Sequence, residues 1–483
     1  MRRAGGIAQE ASCRAQWLLA GFVMVAALAV YILTLAPGIT WSHDGQDGGD
    51  LITAMMTGGV PHPPGYPTYL LLASPLARLP FGNPAWRLNL FSALCAAGAA
   101  SLTTLAVMRL AQATQLESNA ARIAGTVAGL ALAFSPVLWS QAVIAEVYTL
   151  GALITALLFL LYTLLQDQRS WRALAFGATF GLALGASPTL TLNGLLAFLA
   201  VDRRWKAWTV AGLGLGLGLG VFLVLPLRAL NRSPVNWGGA STLSGFWWLT
   251  SAQLYRGYVL ALPLDSLGVR LLAWASMTAR QLTPVGALIA GWGFARLWKV
   301  SSKLAGVTLA MFAGWSVFAI GYNTTDSYVH LIPAFVIMAI WLGEGLADLV
   351  GKLDLTGFKS LLGLLPLVLP LALLIIGWSA ADLHQDHAAA DFGQMIMTYT
   401  PHRAILLTVT DAHTFTLWYY RYVLGRRPDV TIVDRDMLDM PWYQTTLARE
   451  SGWAIIELPD PAAELAHLGR PLCQINQTHL ECK

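Results

Sequence analysis

Long apolar runs separated by short polar loops fill the chain up to about residue 378, and the pattern changes near residue 379. A helix that crosses a bilayer needs about 20 consecutive apolar residues. On that ruler the sequence predicts spans near 17–36, 88–109, 122–138, 147–165, 207–228, 282–298, 305–321, 329–349 and 360–378. Residues 171–201 are apolar throughout but broken at Ser187-Pro188. That stretch exceeds one span and barely suffices for two, so a tight hairpin of short helices is expected there. The fold class expected is mainly α, a polytopic membrane protein with about eleven transmembrane helices. Two long loops, 37–87 and 229–281, separate them on one side. The alternation of Gly and Leu over Gly212–Gly220 predicts close helix packing through small residues.

Beyond residue 379 charge returns and the periodicity shortens. Ala404–Val409 and Val430–Val433 read as short buried strands, and 386–398 and 412–423 as helices. A small C-terminal α/β domain over 379–483 is expected, behind a membrane domain over 1–378.

Composition supports the membrane reading. Of 483 residues 56% are hydrophobic and 12% charged, against about 25% charged in soluble domains. The net charge of +4 is small and spread over short loops, so nucleic acid is not an expected partner. Arg109, Arg122, Arg169, Arg172, Arg203, Arg204, Lys206, Arg296, Lys299, Lys303, Lys352 and Lys359 fall on one side under the eleven-span count. The positive-inside rule then puts the N-terminus in the cytoplasm and the long loops and the C-terminal domain outside. The first segment is read as a retained span, since Pro37-Gly38 follows it without a small-residue cleavage pattern. The four cysteines have no metal spacing. Cys13 and Cys95 look isolated, and Cys473 and Cys482 would close a small loop if they face an oxidising compartment.

The candidate chemistry concentrates in the first long loop. His43-Asp44-Gly45-Gln46-Asp47-Gly48-Gly49-Asp50 is followed by Leu51–Met56 and by Pro61-His62-Pro63-Pro64-Gly65-Tyr66. Asp47 and Asp50 stand three apart, so a helical turn puts both on one face. Nearby carboxylates can divide the roles of base and acceptor-orienting group; a solvated acidic loop with turn-forming glycines is the plainer reading. His62 sits on a stiff proline segment, suited to a phosphate oxygen or simply exposed. Glu146, in Trp139-Ser140-Gln141-Ala142 to Glu146-Val147-Tyr148, is an acid at a span edge, or a carboxylate reaching for water. Arg228 suits bidentate phosphate recognition. Trp237, after Asn236, suits a sugar face or an interfacial belt. Asp326, in Tyr322–Tyr328, adds a carboxylate or only a turn. No Walker loop, dinucleotide fingerprint, HExxH, GxSxG or CxxC pair is present.

Taken together, Gly45–Ala54 with Val60–Pro67, the Trp139 and Glu146 motifs, Pro226-Leu227-Arg228-Ala229 with Asn236-Trp237-Gly238, Asp326 with Leu331–Ala334, and Trp418-Tyr419-Tyr420 with Arg427–Val430 resemble the transmembrane protein 260 family of protein O-mannosyltransferases and its bacterial relatives. The resemblance runs along nearly the whole chain. It implies a C-type glycosyltransferase fold and a sugar donor on a polyprenyl-phosphate carrier, with a catalytic acid in the first outer loop. Asp47 matches that acid, and Asp50 stands where relatives often have Glu.

The expected reaction is transfer of a sugar, mannose foremost, to an acceptor hydroxyl, with protein Ser/Thr the first choice of acceptor. Asp47 is the base, and Asp50 orients the acceptor or tunes Asp47. His62, Glu146, Tyr148, Arg228, Asn236, Trp237 and Asp326 form the substrate-binding set, with Arg228 and His62 at the departing phosphate. No cofactor is expected beyond the lipid-linked donor, no metal ligands are assigned, and a metal requirement is left open. A glycan or lipid acceptor fits the same residues. A transporter or flippase would place ionisable groups near the midplane in repeated halves, and a scaffold would leave Asp47→Asn silent. Composition points to a bacterial plasma membrane.

Overall fold

The computed structural model describes residues 2–165, 170–200, 205–353, 363–452, 465, 469–476 and 479–482. Arg169, Arg203, Arg204 and Lys359, used above for orientation, lie outside the described residues, as does the start of the last expected span. The chain opens with α1 (Arg2–Thr34) and a loop that enters α2 (Gly48–Thr57) and α3 (Pro67–Ala77). Next come α4 (Pro84–Ala113), α5 (Ser118–Ala133), α6 (Pro136–Ala142), α7 (Tyr148–Leu164), α8 (Ser170–Ala186) and α9 (Ala197–Ala200). Then follow α10 (Trp205–Leu219), α11 (Val224–Ala229), α12 (Leu243–Thr250), α13 (Leu267–Gln281), α14 (Thr283–Val300), α15 (Ser302–Gly321), α16 (Ile332–Gly351) and α17 (Val368–Ala381).

Inside hydrocarbon every backbone N–H and C=O must find a partner within the protein, and a helix supplies them all. Among the described residues six helical segments are long and apolar enough to cross a membrane: Cys13–Thr34, Pro84–Ala113, Trp205–Ala229, Ser302–Gly321, Ser327–Gly351 and Gly363–Ala381. The pair α5 and α6, bent by 62° at Phe134-Ser135, adds a seventh if counted as one span. The expected span at 147–165 is the shorter α7. The expected hairpin is α8 followed by a 3₁₀ run, Pro188–Leu196. Ser187 is extended and accepts from the Thr189 N–H, and Pro188 opens the new turn, which fixes the break where the sequence places it. The eleven expected crossings count these shorter segments, and α14 at the span expected over 282–298, as full spans.

Buried on nearly every side, α16 packs against α4, α5, α7, α14 and α15. The α8–α10 pair meets through glycine. A Cβ on Gly214 would lie 2.2 Å from the Leu174 carbonyl oxygen, and one on Gly218 2.2 Å from that of Ala178. Gly212, Gly216 and Gly220 face open space. The Gly-Leu alternation thus puts every second glycine of the run against α8 and its partners on the outside.

The C-terminal domain contains α18 (Ala388–Tyr399), β1 (Ile405–Thr408), α19 (Asp411–Trp418), β2 (Thr431–Asp434), α20 (Pro441–Ser451), β3 (Leu472–Asn476) and β4 (His479–Cys482). The sheet order is β2-β1-β3-β4. β1 is parallel to β2 and β3, while β3 and β4 form an antiparallel hairpin. Cys473 and Cys482, partners across that hairpin, form a disulfide. The domain is tied to the membrane part. The Leu383 N–H donates to the Thr34 carbonyl at 3.0 Å, and Asp386 accepts from the hydroxyls of Thr40 and Ser42.

Candidate active site

The first loop is held from three directions. His43 and Asp44 both adopt left-handed backbone, φ 59° and 60°, uncommon for non-glycine residues. The His43 ring nitrogens lie 3.1 Å from the Ser140 carbonyl oxygen and 2.9 Å from that of Ala380. The Tyr328 hydroxyl donates to Asp44 at 2.6 Å. Trp41 donates to the Ala412 carbonyl and the Thr416 hydroxyl of α19, at 3.2 and 3.0 Å. The turn delivers Asp47 to the N-cap position of α2. Gly49 has to be glycine, because a Cβ there would lie 2.6 Å from the Phe415 carbonyl oxygen. The C-terminal domain therefore rests directly on the aspartate-bearing helix.

Asp47 and Asp50 diverge at this point. Asp50 is fully buried and accepts three hydrogen bonds: from the His62 backbone N–H at 2.9 Å, His62 Nδ1 at 2.7 Å and Trp237 Nε1 at 2.9 Å. His62 Nε2 then faces Asp47, 3.6 Å from its Oδ2. The result is a line of carboxylate, imidazole, carboxylate. Burial opposes charge on His62, but Asp47 and Asp50 outweigh it and push its pKa up to about 9. Burial also pushes Asp47 above the ordinary aspartate range, reinforced by Asp50, Asp326 and Asp44 and opposed by His62.

Asp47 opens into a cavity of about 690 Å³ whose wall includes His62, Tyr148, Arg256, Asp326 and Asp411. Of the residues expected from sequence, the structure brings Asp47, His62, Tyr148 and Asp326 to this wall. Asp50, expected to orient the acceptor or to tune Asp47, lies behind His62 and holds that ring against Asp47. Trp237 is its second donor and packs on Trp442, ring centroids 4.9 Å apart, so it is no sugar platform. Asn236 donates to the Ala229 carbonyl at 3.0 Å and pairs with Val60 in a β-bridge. Glu146 is buried, with its own Val147 N–H 3.2 Å from Oε2. Burial, and Asp47 next, hold its pKa well above the usual carboxylate range.

The clearest departure is Arg228. Its guanidinium donates to the Ala54 and Gly59 carbonyls at 3.2 and 3.1 Å and touches the Met55 sulfur. The Ala54 carbonyl also accepts from the Gly59 N–H at 2.8 Å in the C-terminal cap of α2, so Arg228 clamps the end of that helix to the chain that follows it. Arg256 is the arginine on the cavity wall. Its signal was Tyr255-Arg256-Gly257-Tyr258, an arginine between aromatics in the long second loop. Asp411 was also missed. Thr410 caps the helix that it begins, a pattern that reads locally as structure. Among the described residues no group of three or more His, Cys, Asp or Glu is placed to hold a metal ion.

Membrane helices around an acid-bearing loop, with an α/β domain seated on that loop, define a C-type glycosyltransferase fold. ArnT from Cupriavidus metallidurans has the same fold. Its apo structure superposes with a TM-score of 0.58 at 13% identity, covering 94% of this chain and 91% of that one. Its structure bound to undecaprenyl phosphate gives 0.52 at 13% identity, over 89% and 94%. The Archaeoglobus fulgidus oligosaccharyltransferase in complex with Zn and sulfate gives 0.51 at 13%, over 85% and 62%. This is an integral membrane protein.

In sequence, residues 47–230 match the Protein O-mannosyl-transferase TMEM260 N-terminal domain, and residues 389–452 match TMEM260-associated domain 2. The chain belongs to the TMEM260 family. It is 28% identical over 460 residues to the mouse Protein O-mannosyl-transferase TMEM260, covering 88% of this chain and 64% of the relative. It is 22% identical over 500 residues to the Dictyostelium discoideum protein of the same name, covering 88% and 58%. The chain thus spans about three-fifths of the length of these curated relatives.

Proposed function

We propose that this protein is a membrane glycosyltransferase that moves mannose from a polyprenyl-phosphate carrier to a protein Ser/Thr hydroxyl on the outer face of a bacterial plasma membrane. The observation that carries the reading is Asp47: a carboxylate open to a cavity, backed by His62 and Asp50, in a chain of this fold and family. The names of the TMEM260 relatives and the undecaprenyl phosphate bound by ArnT support the donor and acceptor classes. The disulfide in the C-terminal domain supports an oxidising compartment for that side.

Asp47 takes the proton of the acceptor hydroxyl as its oxygen attacks the anomeric carbon. The bond from that carbon to the phosphate oxygen breaks on the opposite face, and polyprenyl phosphate leaves with the electron pair. The product is the inverted glycoside, and Asp47 is left protonated. His62, pinned by Asp50 and charged at neutral pH, keeps Asp47 ionised for this step. Arg256 supplies positive charge to the departing phosphate in place of Arg228, where such preorganised charge is most effective.

The test is to incubate the purified protein with radiolabelled polyprenyl-phosphate mannose and an extract of membrane and secreted proteins. Label in the protein fraction is expected. Label in a lipid or glycan fraction keeps the enzyme and removes the protein acceptor. No transfer from mannose or other sugar donors, with labelled carrier crossing reconstituted vesicles, contradicts the reading in favour of a transporter.

A further inference from the structure

We propose that Asp411, carried by the C-terminal domain, is the acceptor-binding carboxyl group of the cavity, so that the outer domain completes the active site. The inference rests on the transferase reading above. Asp411 begins α19 and lines the same cavity as Asp47. It is exposed to that cavity, and among the described residues no hydrogen bond engages its side chain. Its place is fixed by neighbours. Trp41 bonds the carbonyl of the very next residue, Ala412, and Thr416 one turn on. The Phe415 backbone abuts Gly49 in the helix that Asp47 caps. Its place in the first turn of α19 suits the helix dipole, but that leaves the carboxyl oxygens, on a backbone held this firmly and without a hydrogen bond among the described residues, free to meet a ligand in the cavity.

The charges around it assign its form. Asp47 and Asp50 face it from the first loop, Asp434 from its own domain and His62 from the proline segment. Tyr255 and Arg256 line the cavity with it. His62 is already shared between Asp47 and Asp50. Partial desolvation at the cavity wall, then Asp47 and Asp434, push Asp411 up to about 7, with His62 opposing. Two facing carboxyl groups with unequal access to one cation divide their protonation states. Asp47 is the ionised member and serves as base. Asp411 retains its proton below about pH 7 and donates it in a hydrogen bond to an oxygen of the acceptor. Above that pH it ionises, loses the donor and repels Asp47.

The experiment uses the full-length protein, polyprenyl-phosphate mannose and a synthetic Ser/Thr-rich peptide, comparing wild type, Asp411→Asn and Asp411→Ala across pH. Asn keeps a neutral donor and cannot ionise. It should retain acceptor binding and abolish the fall in kcat/KM that wild type shows as pH rises through about 7. Ala should raise the peptide KM roughly five- to tenfold, the loss of one hydrogen bond, and leave kcat within about twofold. Wild-type pH profiles and peptide KM in both variants would overturn the inference alone. No labelled peptide from wild type would take down the protein-acceptor reading, and this inference with it.

Discussion

Asp47 and Asp50 are the same residue type one helical turn apart, and their surroundings make them different reagents. Asp50 receives three donors and no solvent; Asp47 meets the cavity. His62 joins them, and its charge lowers the pKa of Asp47. Removing that charge raises it, so His62→Gln should move the acid limb of kcat/KM to higher pH; an unmoved limb would remove His62 from the account. Stability has the opposite window. The pKa of His62 is raised from 6.5 to about 9 on folding, so its ion-pair support is complete below pH 6.5 and fades as pH rises through 9. Thermal unfolding should show that loss in wild type and not in His62→Gln. The arginines separate in the same manner. Arg228→Ala should lower Tm, and Arg256→Ala should weaken donor binding with Tm kept, both measurable on one purified pair. The loop from His43 to Tyr66 was legible in sequence because carboxylates among glycines have no packing use beside a membrane. Arg228 was misread because its partners are backbone carbonyls, which residue type does not reveal. Arg256 and Asp411 were missed because they reach the cavity from distant loops with no periodic signal.

At the scale of elements, the membrane helices pack by close approach of small residues, since lipid offers no hydrophobic gain for helix association. Gly214 and Gly218 face α8, while Gly212 and Gly216 face outward. Gly218→Val should therefore destabilise the protein by about 1–3 kcal/mol or more, and Gly216→Val should be near neutral, as read by thermal unfolding in detergent. Equal effects would contradict the assigned face. The sequence predicted the close packing from the Gly-Leu alternation, and the break at Ser187-Pro188 from proline chemistry. In the C-terminal domain the expected strands and helices match β1, β2, α18 and α19 to within a few residues, save that the helix expected over 412–423 ends in a π-turn at Tyr419–Val423. The β3–β4 hairpin escaped because Leu472–Cys482 is short and mostly polar, and its disulfide was visible only as a conditional pairing.

At the scale of the molecule, the C-terminal domain is joined to the loop that carries Asp47, not suspended beyond it. Thr40 and Ser42 bond Asp386, Trp41 bonds α19, and Gly49 packs on Phe415. Gly49→Leu should push the two parts apart and reduce transfer while the helices remain folded, a separation that circular dichroism beside activity would show. Sidedness can be read from the thiols. With the domain outside, a membrane-impermeant maleimide should label the exposed Cys482 in intact cells only after reduction. Labelling without reductant would contradict the pairing, and none after reduction would reverse the orientation. Sequence periodicity outlined this architecture but left the docking invisible, because it depends on contacts between residues hundreds apart.

The central claim is that Asp47 is the base. Wild type and Asp47→Asn should bind polyprenyl-phosphate mannose alike. In a single-turnover assay with protein acceptor, the variant should transfer mannose at least about 10²–10⁴-fold more slowly. Transfer by Asp47→Asn at the wild-type rate would contradict the account.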